Sequence, residues 1–171
     1  MTPFDPKSAV IIVAAWPDEQ LKVRLVTWLA HHGFDLEHNL WDHCCRDVVV
    51  AYNRAVRDLA LPSRFDWFVF CDKDLMPGPA ADPFLAADAD VVGVQYPIRN
   101  PESWGEPTRI HTGLWRCHRG VLEALSPPWF ARRYSHDGCD VIQCECDFFR
   151  EKALAAGFAI ARAGWADHAV K

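Results

Sequence analysis

The sequence predicts an α/β protein with a mainly parallel central sheet, and three observations lead there. The run Ala9–Ala15 is continuously apolar and of strand length, the pattern of a strand covered on both faces. Strand-like runs then alternate with segments of helical period, as in folds that pack helices on a sheet. Finally, the aromatic and β-branched run Phe65–Cys71 leads straight into Asp72-Lys73-Asp74. That places carboxylates beyond the carboxyl end of a strand, where ligands of such sheets bind.

Trp16-Pro17 ends the first strand, and Asp18 is a natural cap for a helix over Asp18–His32. Leu21, Leu25, Trp28, Leu29 and His32 recur at helical spacing, and Gly33 stops the helix. A second helix fits Arg46–Ala60, with Val48, Val49, Tyr52, Val56 and Leu59 on one face and Pro62 closing it. After the strand Phe65–Cys71 come a short helix within Asp82–Ala89 and a strand over Ala89–Tyr96. Pro97–Pro107, rich in Pro, Asn, Gly and Glu, is long for a loop and so a candidate functional segment. A strand is expected over Ile110–Arg116 and a helix over Arg119–Leu125, broken by Pro127-Pro128. Phe130–Cys139 reads as loop, Glu145–Ala156 as helix ended by Gly157, and Phe158–Ala161 as a last short strand.

At 171 residues, against a prior of about 150 per domain, the chain is read as one domain, 1–171. Eighteen Lys and Arg against 23 Asp and Glu leave a net charge of −5, which excludes nucleic-acid binding driven by a whole-molecule positive field. Arg99, Arg109, Arg116, Arg119, Arg132 and Arg133 leave room for a local positive face. No apolar run approaches the ~20 residues of a membrane span, and Met1–Ser8 lacks a signal pattern. The expected location is therefore cytoplasmic. Of the seven Cys, Cys44 and Cys45 are adjacent and Cys139, Cys144 and Cys146 cluster. They read as reduced thiols; a zinc site from His136, Cys139, Cys144 and Cys146 is the alternative, although its spacing is not that of paired Cys-x-x-Cys motifs. Trp residues are chiefly core, yet Trp104, Trp115, Trp129 and Trp165 fall near loops or strand ends, where a ring can stack on a sugar.

The chemistry concentrates at Asp72 and Asp74. Two carboxylates at i and i+2 of an extended segment point to one side. Their repulsion is relieved by water, by Lys73 or by a divalent cation such as Mg²⁺ or Mn²⁺, which takes one or two carboxylates and completes its shell with diphosphate oxygens. The alternative is a solvated acidic turn in which Asp74 caps the next segment of chain.

Taken in order, the pieces resemble the small family-2-like glycosyltransferases of the GT-A fold. Ala9–Ala15 with Trp16-Pro17 looks like the opening strand and nucleotide loop. Val50-Ala51-Tyr52-Asn53-Arg54-Ala55 is similar to a helix carrying an Arg-Asn or Asn-Arg pair. Phe68–Asp74 resembles the DxD strand, and Asp90–Pro97 the strand after it. Thr112–Trp115 with Arg119–Leu125 looks like the acceptor-side glycine segment and its helix. Glu145–Ala153 through Gly157-Phe158 is similar to the family's Glu-Asp…Phe…Lys-Ala…Ala-Gly-Phe segment, and Asp167-His168 stands where such enzymes often place a metal-binding His.

The resemblance implies a GT-A-like three-layer sandwich and transfer of a sugar from a UDP- or GDP-linked donor to an acceptor hydroxyl, with Mn²⁺ or Mg²⁺ as cofactor. It implies that Asp74 holds the metal, that Asp72 contacts the ribose or the metal, and that His168 completes the protein ligands. A surface His near the chain end is the other reading of His168. Asn53 and Arg54 would lie near the nucleotide or form an ordinary helix surface. Inverting transfer needs a carboxylate that takes the acceptor proton; Glu145 and Asp147 are the candidates. Cys146 occupies the aligned position of the family's Asp. Residues two apart on a helix are separated by ~200°, so Glu145 is expected in the turn before the helix, facing the cleft, with Asp147 capping or facing solvent. Glu145 can also serve only as a helix cap, and His111 either points toward the cleft or is structural. The acceptor is open among saccharide, lipid-linked and protein hydroxyls. A hydroxymethylated DNA base is a further candidate, because small domains of this kind also occur in phages, in which case the location is the host cytoplasm. Two other functions stay in view. One is a catalytically degenerate nucleotide- or partner-binding module of the same fold. The other is a sugar-nucleotidyltransferase, although Trp16-Pro17-Asp18-Glu19 lacks the glycine-rich basic loop usual there.

Overall fold

The computed structural model describes residues 2–14, 21–38, 40–42, 47–97 and 105–168. The expected loop at Trp16-Pro17, the Asp18 cap, Cys44, Cys45, Arg99 and Trp104 lie outside these residues. The strands are β1 (Ala9–Ala14), β2 (Leu40–Asp42), β3 (Trp67–Asp72), β4 (Leu75–Pro77), β5 (Val91–Gln95), β6 (Leu114–His118), β7 (Arg133–Tyr134), β8 (Val141–Gln143) and β9 (Ile160–His168). The helices are α1 (Val23–His31), α2 (Val48–Ala55, extended by a π-turn to Ala60), α3 (Pro83–Ala86), α4 (Arg119–Ala124) and α5 (Glu145–Ala155). The main sheet is seven-stranded in the order β2-β1-β3-β6-β5-β9-β4. Pairings β1–β2, β1–β3 and β5–β9 are parallel, whereas β6 and β4 run against their neighbours.

The apolar run of β1 divides between two cores. Ala9, Ile11 and Val13 pack with Leu25, Trp28 and Leu29 of α1 and with Phe84 of α3. Val10 and Ile12 pack on the opposite face with Tyr52, Ala55, Phe149 and Ala153 of α2 and α5. The sheet is therefore the middle layer of three, and fully burying each such Val or Ile contributes about 1.5–3 kcal/mol. Among the described residues no helix is long and apolar enough to cross a membrane.

Several elements depart from expectation. Helix α1 starts at Val23 rather than Asp18: Lys22 is extended, and its N–H donates to the Lys73 carbonyl at 3.1 Å, docking the helix start on the acidic turn. The expected strand over Ile110–Arg116 begins only at Leu114. Part of the expected loop Phe130–Cys139 forms β7, paired with β8 as a small separate ribbon. The largest difference is β9, which runs nine residues to His168 instead of stopping at Ala161. Its first part pairs with β5 and its last three residues with β4. In the irregularity of the β5–β9 pairing before that change of partner, Gly164 takes φ +83° with its backbone so close to the Ala81 carbonyl that a Cβ would sit 2.9 Å from that oxygen. Only glycine fits both conditions.

Nor do Arg116 and Arg119 contribute to a positive face. Arg116 is 1% exposed. It donates to the Phe84 and Ala87 carbonyls and lies over the Phe4 and Trp67 rings. Arg119 donates to backbone carbonyls of Ala60, Leu61, Ser63 and Phe65. Trp115 and Trp129 are likewise core, while Trp165 is exposed.

Candidate metal and nucleotide site

Strand β3 ends at Asp72, whose N–H donates to the Gly113 carbonyl at 2.7 Å. The turn at Lys73-Asp74 leads into β4, and the β4–β9 register sets Leu75 opposite His168. The imidazole thereby arrives beside the acidic turn from the far end of the chain. Its Nε2 lies 3.4 Å from an Asp74 carboxylate oxygen, and both side chains are about one-quarter exposed. One ligand atom each from Asp72, Asp74 and His168 falls within a sphere of mutual distances below 4.8 Å; among the described residues no other group of three or more His, Cys, Asp or Glu does so. The two carboxylate oxygens suit Mg²⁺ or Mn²⁺, and the imidazole nitrogen favours Mn²⁺ of the two, since Mg²⁺ takes oxygen ligands.

The cluster is braced by two tyrosines that the sequence pattern did not single out as site residues. The Tyr52 hydroxyl, buried on α2, donates toward Asp72 Oδ1 at 3.4 Å and to the Thr112 carbonyl at 3.1 Å. The Tyr96 ring stacks on His168 with centroids 5.3 Å apart, and its hydroxyl accepts the Gly113 N–H at 3.1 Å. A Cβ on Gly113 would lie 2.4 Å from the Tyr96 ring, so this approach requires glycine. The one sequence signal for these tyrosines was position: Tyr96 closes the strand after the acidic turn, and Tyr52 adjoins Asn53-Arg54.

Burial pushes the Asp72 carboxyl up to about 7; the Asp74 charge adds to the rise, the Tyr52 hydrogen bond opposes it, and the Glu145 charge adds again. A carboxyl with a raised folded-state pKa binds its proton more tightly folded than unfolded. Between about pH 4, where an unfolded Asp titrates, and about pH 7, the folded chain therefore holds the extra proton. Its contribution to stability is full at the low end of that window and falls as pH rises through it. In EDTA, Asp72→Asn is accordingly expected to gain stability relative to wild type across that window. Thermal melts of both proteins at its two ends measure this, and parallel melting curves would refute it.

The other sequence-predicted residues have distinct surroundings. Asn53 clips the segment after the Pro127-Pro128 break. Its amide donates to the Val49 and Phe130 carbonyls, both at 2.8 Å, and its oxygen accepts from the Trp129 and Phe130 N–H groups. Both amide protons are thus engaged by backbone. Arg54 is exposed on α2. Glu145 is not in the turn before α5: it is the first residue of the helix, with Cys144 as N-cap, and Asp147 lies in the same first turn. The two carboxylates point to different cations. Glu145 pairs with Arg132 at 2.7 Å, and Asp147 pairs with Arg109 at 2.6 Å, with Arg150 at 3.8 Å. The Glu145 charge adds a small further rise at Asp72 and at Tyr96. His111 is half-buried, and burial holds its imidazole below the ordinary value; the Arg109 charge adds to this, and Asp147 and Glu145 oppose it. The zinc alternative is not assembled: His136 and Cys139 are exposed on the β7–β8 ribbon, while Cys144 and Cys146 sit at the start of α5.

No protein-family model matches the chain, and no curated protein matches it in sequence. Solved structures do. A197 from STIV superposes with a TM-score of 0.62 at 13% identity, over 95% of this chain and 86% of that one. Glucosyl-3-phosphoglycerate synthase from Mycobacterium tuberculosis, in complex with Mg²⁺ and UDP, gives 0.54 at 15% identity over 97% and 74%. The same enzyme with Mn²⁺, UDP-glucose and phosphoglyceric acid gives 0.52 at 18% over the same shares.

Proposed function

Starting from a chain that shares the GT-A-like fold of these structures, we propose that it is a metal-dependent glycosyltransferase, moving a sugar from a nucleotide-sugar donor to an acceptor hydroxyl. The observation that carries this reading is the convergence of Asp72, Asp74 and His168 at the carboxyl end of β3, in a fold whose neighbours hold UDP with Mg²⁺ or Mn²⁺. Asp74 and His168 hold the cation, and Asp72 reaches it or the donor ribose. The bound ion supplies charge neutralisation for the diphosphate leaving group as the sugar–phosphate bond breaks. Tyr96 fixes the His168 ring from behind, and Tyr52 fixes Asp72, so the ligands are pre-positioned. Glu145, whose charge is felt at Asp72, accepts the proton of the acceptor hydroxyl, and Arg132 orients its carboxylate. Asp147, held by Arg109 and Arg150, is the second candidate for that role.

A binding module without turnover is the second reading. It is favoured by the ion pairing of both candidate bases and by Cys146 at the position of the family's Asp. A melting-temperature screen of UDP- and GDP-sugars with and without Mn²⁺ tests binding, since a ligand of the folded state raises the melting temperature by mass action. Slow hydrolysis of the stabilising donor separates the two readings. A donor shift that depends on Mn²⁺ and comes with hydrolysis supports the transferase. A shift without hydrolysis supports the binding module, and no shift with any donor overturns both.

A further inference from the structure

Two thiols lie at the start of α5, and the proposed transfer chemistry uses neither. Cys144 is the helix N-cap, half-buried, with its sulfur accepting the Asp147 N–H at 3.4 Å. Cys146, 4% exposed, lies one turn-step inside with its sulfur 2.7 Å from that of Cys144. The Nδ1 of His111 is 3.7 Å from the Cys146 sulfur. Both cysteines are free, and Glu145 is the residue between them. The two sulfurs are thus already neighbours, within reach of each other across one residue.

We propose that Cys144 and Cys146 form a redox-active dithiol that low-molecular-weight disulfides oxidise reversibly to an intramolecular disulfide across Glu145. The roles of the two thiols differ. Hydrogen bonding from the Cys146 thiol, with the Asp147 N–H helping, holds the Cys144 thiol below its ordinary value against the opposing effects of burial and of the Asp147 carboxylate, 3.5 Å from the sulfur; a helix N-terminus favours a thiolate in the same sense. Cys144 is the attacking group. Its thiolate adds to one sulfur of the small disulfide, the S–S bond breaks, and one small thiolate leaves, giving a mixed disulfide on Cys144.

Cys146 is held protonated in the reduced pair, because its hydrogen bond to Cys144, burial and the Cys144 charge all push its thiol up. Capping Cys144 removes that charge. Cys146 then passes its proton to His111 Nδ1, attacks the Cys144 sulfur and expels the second small thiolate. In balance, two protein thiols lose two electrons and two protons, and one small disulfide becomes two small thiols. The ring ties the backbone on both sides of Glu145 and weakens the sulfur cap of the Asp147 N–H. The effect of this on turnover rests on the proposed transferase function, whereas the thiol chemistry does not.

The test uses the full chain, reduced, freed of reductant and equilibrated in EDTA with glutathione and glutathione disulfide at a series of ratios. Remaining thiols are alkylated and the peptide holding residues 144–146 is weighed. The expected result is loss of two hydrogens confined to that peptide, restored by dithiothreitol. In the reduced protein, Cys144 is expected to alkylate faster at neutral pH than the exposed Cys139, whose thiol donates to the Asp137 carbonyl. Cys146→Ser, which keeps the Cys144 cap, is expected to accumulate glutathione on Cys144. Full alkylation of both cysteines at the most oxidising ratio, or a disulfide joining either one to another cysteine, overturns the proposal. The wild-type measurement needs no variant, so a misfolded variant leaves the test intact. Donor melting shifts in the same two redox states report separately on the transferase reading: an oxidised pair with no donor binding in either state refutes that reading and leaves the dithiol standing.

Discussion

Asp74→Asn is expected to abolish the divalent-ion dependence of nucleotide-diphosphate binding while leaving the protein folded. Asp74 is about one-quarter exposed, faces the His168 imidazole and supports no core contact of its own. The substitution is nearly isosteric, so its cost falls on the cation. Loss even of groups that only orient a metal ligand lowers affinity by ~10–100-fold; losing a ligand carboxylate is expected to exceed that range. Calorimetric titration with UDP and with GDP, in Mn²⁺ and in EDTA, measures it. Wild-type protein in EDTA should resemble the variant in Mn²⁺. Equal wild-type affinity in both buffers would remove the cation from the mechanism and leave Asp72, Asp74 and His168 as a hydrogen-bonded acidic turn.

Glu145→Gln is expected to lower turnover by ~10²–10⁴-fold, the range for loss of general-base help, with donor affinity nearly unchanged. Glutamine keeps the size and can still accept from Arg132, but it cannot take the acceptor proton. Asp147→Asn is the internal comparison. Its carboxylate sits between Arg109 and Arg150, which hold it as an ion pair, so a modest loss in turnover is expected there. Turnover and donor affinity measured side by side for the two variants decide between them. Near wild-type turnover in the Glu145 variant, with a large loss in the Asp147 variant, would transfer the role to Asp147.

The places where sequence reading stopped short have a common physical cause. Periodicity reports which faces of a segment are apolar, and that was enough for β1, β3, α2 and α5. It reports nothing about a strand whose sides meet different neighbours. The burial of β9 changes along its length, from the buried Ile160 through partly covered residues to the exposed Trp165 and buried Ala166, because the strand bulges around Gly164 and then passes from β5 to β4 after Trp165. The strand pairs with β5 as far as Trp165 and with β4 only from Ala166, so no single period describes it and its last part read as tail. The small strands β2 and β4 are three residues each, too short to carry a period at all. Arg116 and Arg119 misled for a different reason. Charge in a sequence is read as surface, but a guanidinium can be buried when carbonyls take its protons and aromatic rings cover its plane.

The sequence by itself determined the three-layer α/β plan and the acidic end of β3, because both rest on local facts: an apolar run that can only be covered on two sides, and two carboxylates two residues apart in an extended segment. It also raised His168 and Glu145 as partners, through resemblance rather than spacing. Tertiary structure alone decided that His168 meets Asp74 and that Tyr96 stands behind it. It likewise decided that Asn53 holds the 129–130 backbone, and that Glu145 and Asp147 face different arginines from one helical turn. Apart from Arg150 beside Asp147 and Arg132 near Glu145, the partners lie far apart in the chain. Their meeting depends on a strand register, on a glycine that lets β9 turn past Ala81, and on another, Gly113, that lets the backbone lie against Tyr96. Such distances are fixed only when the whole sheet closes.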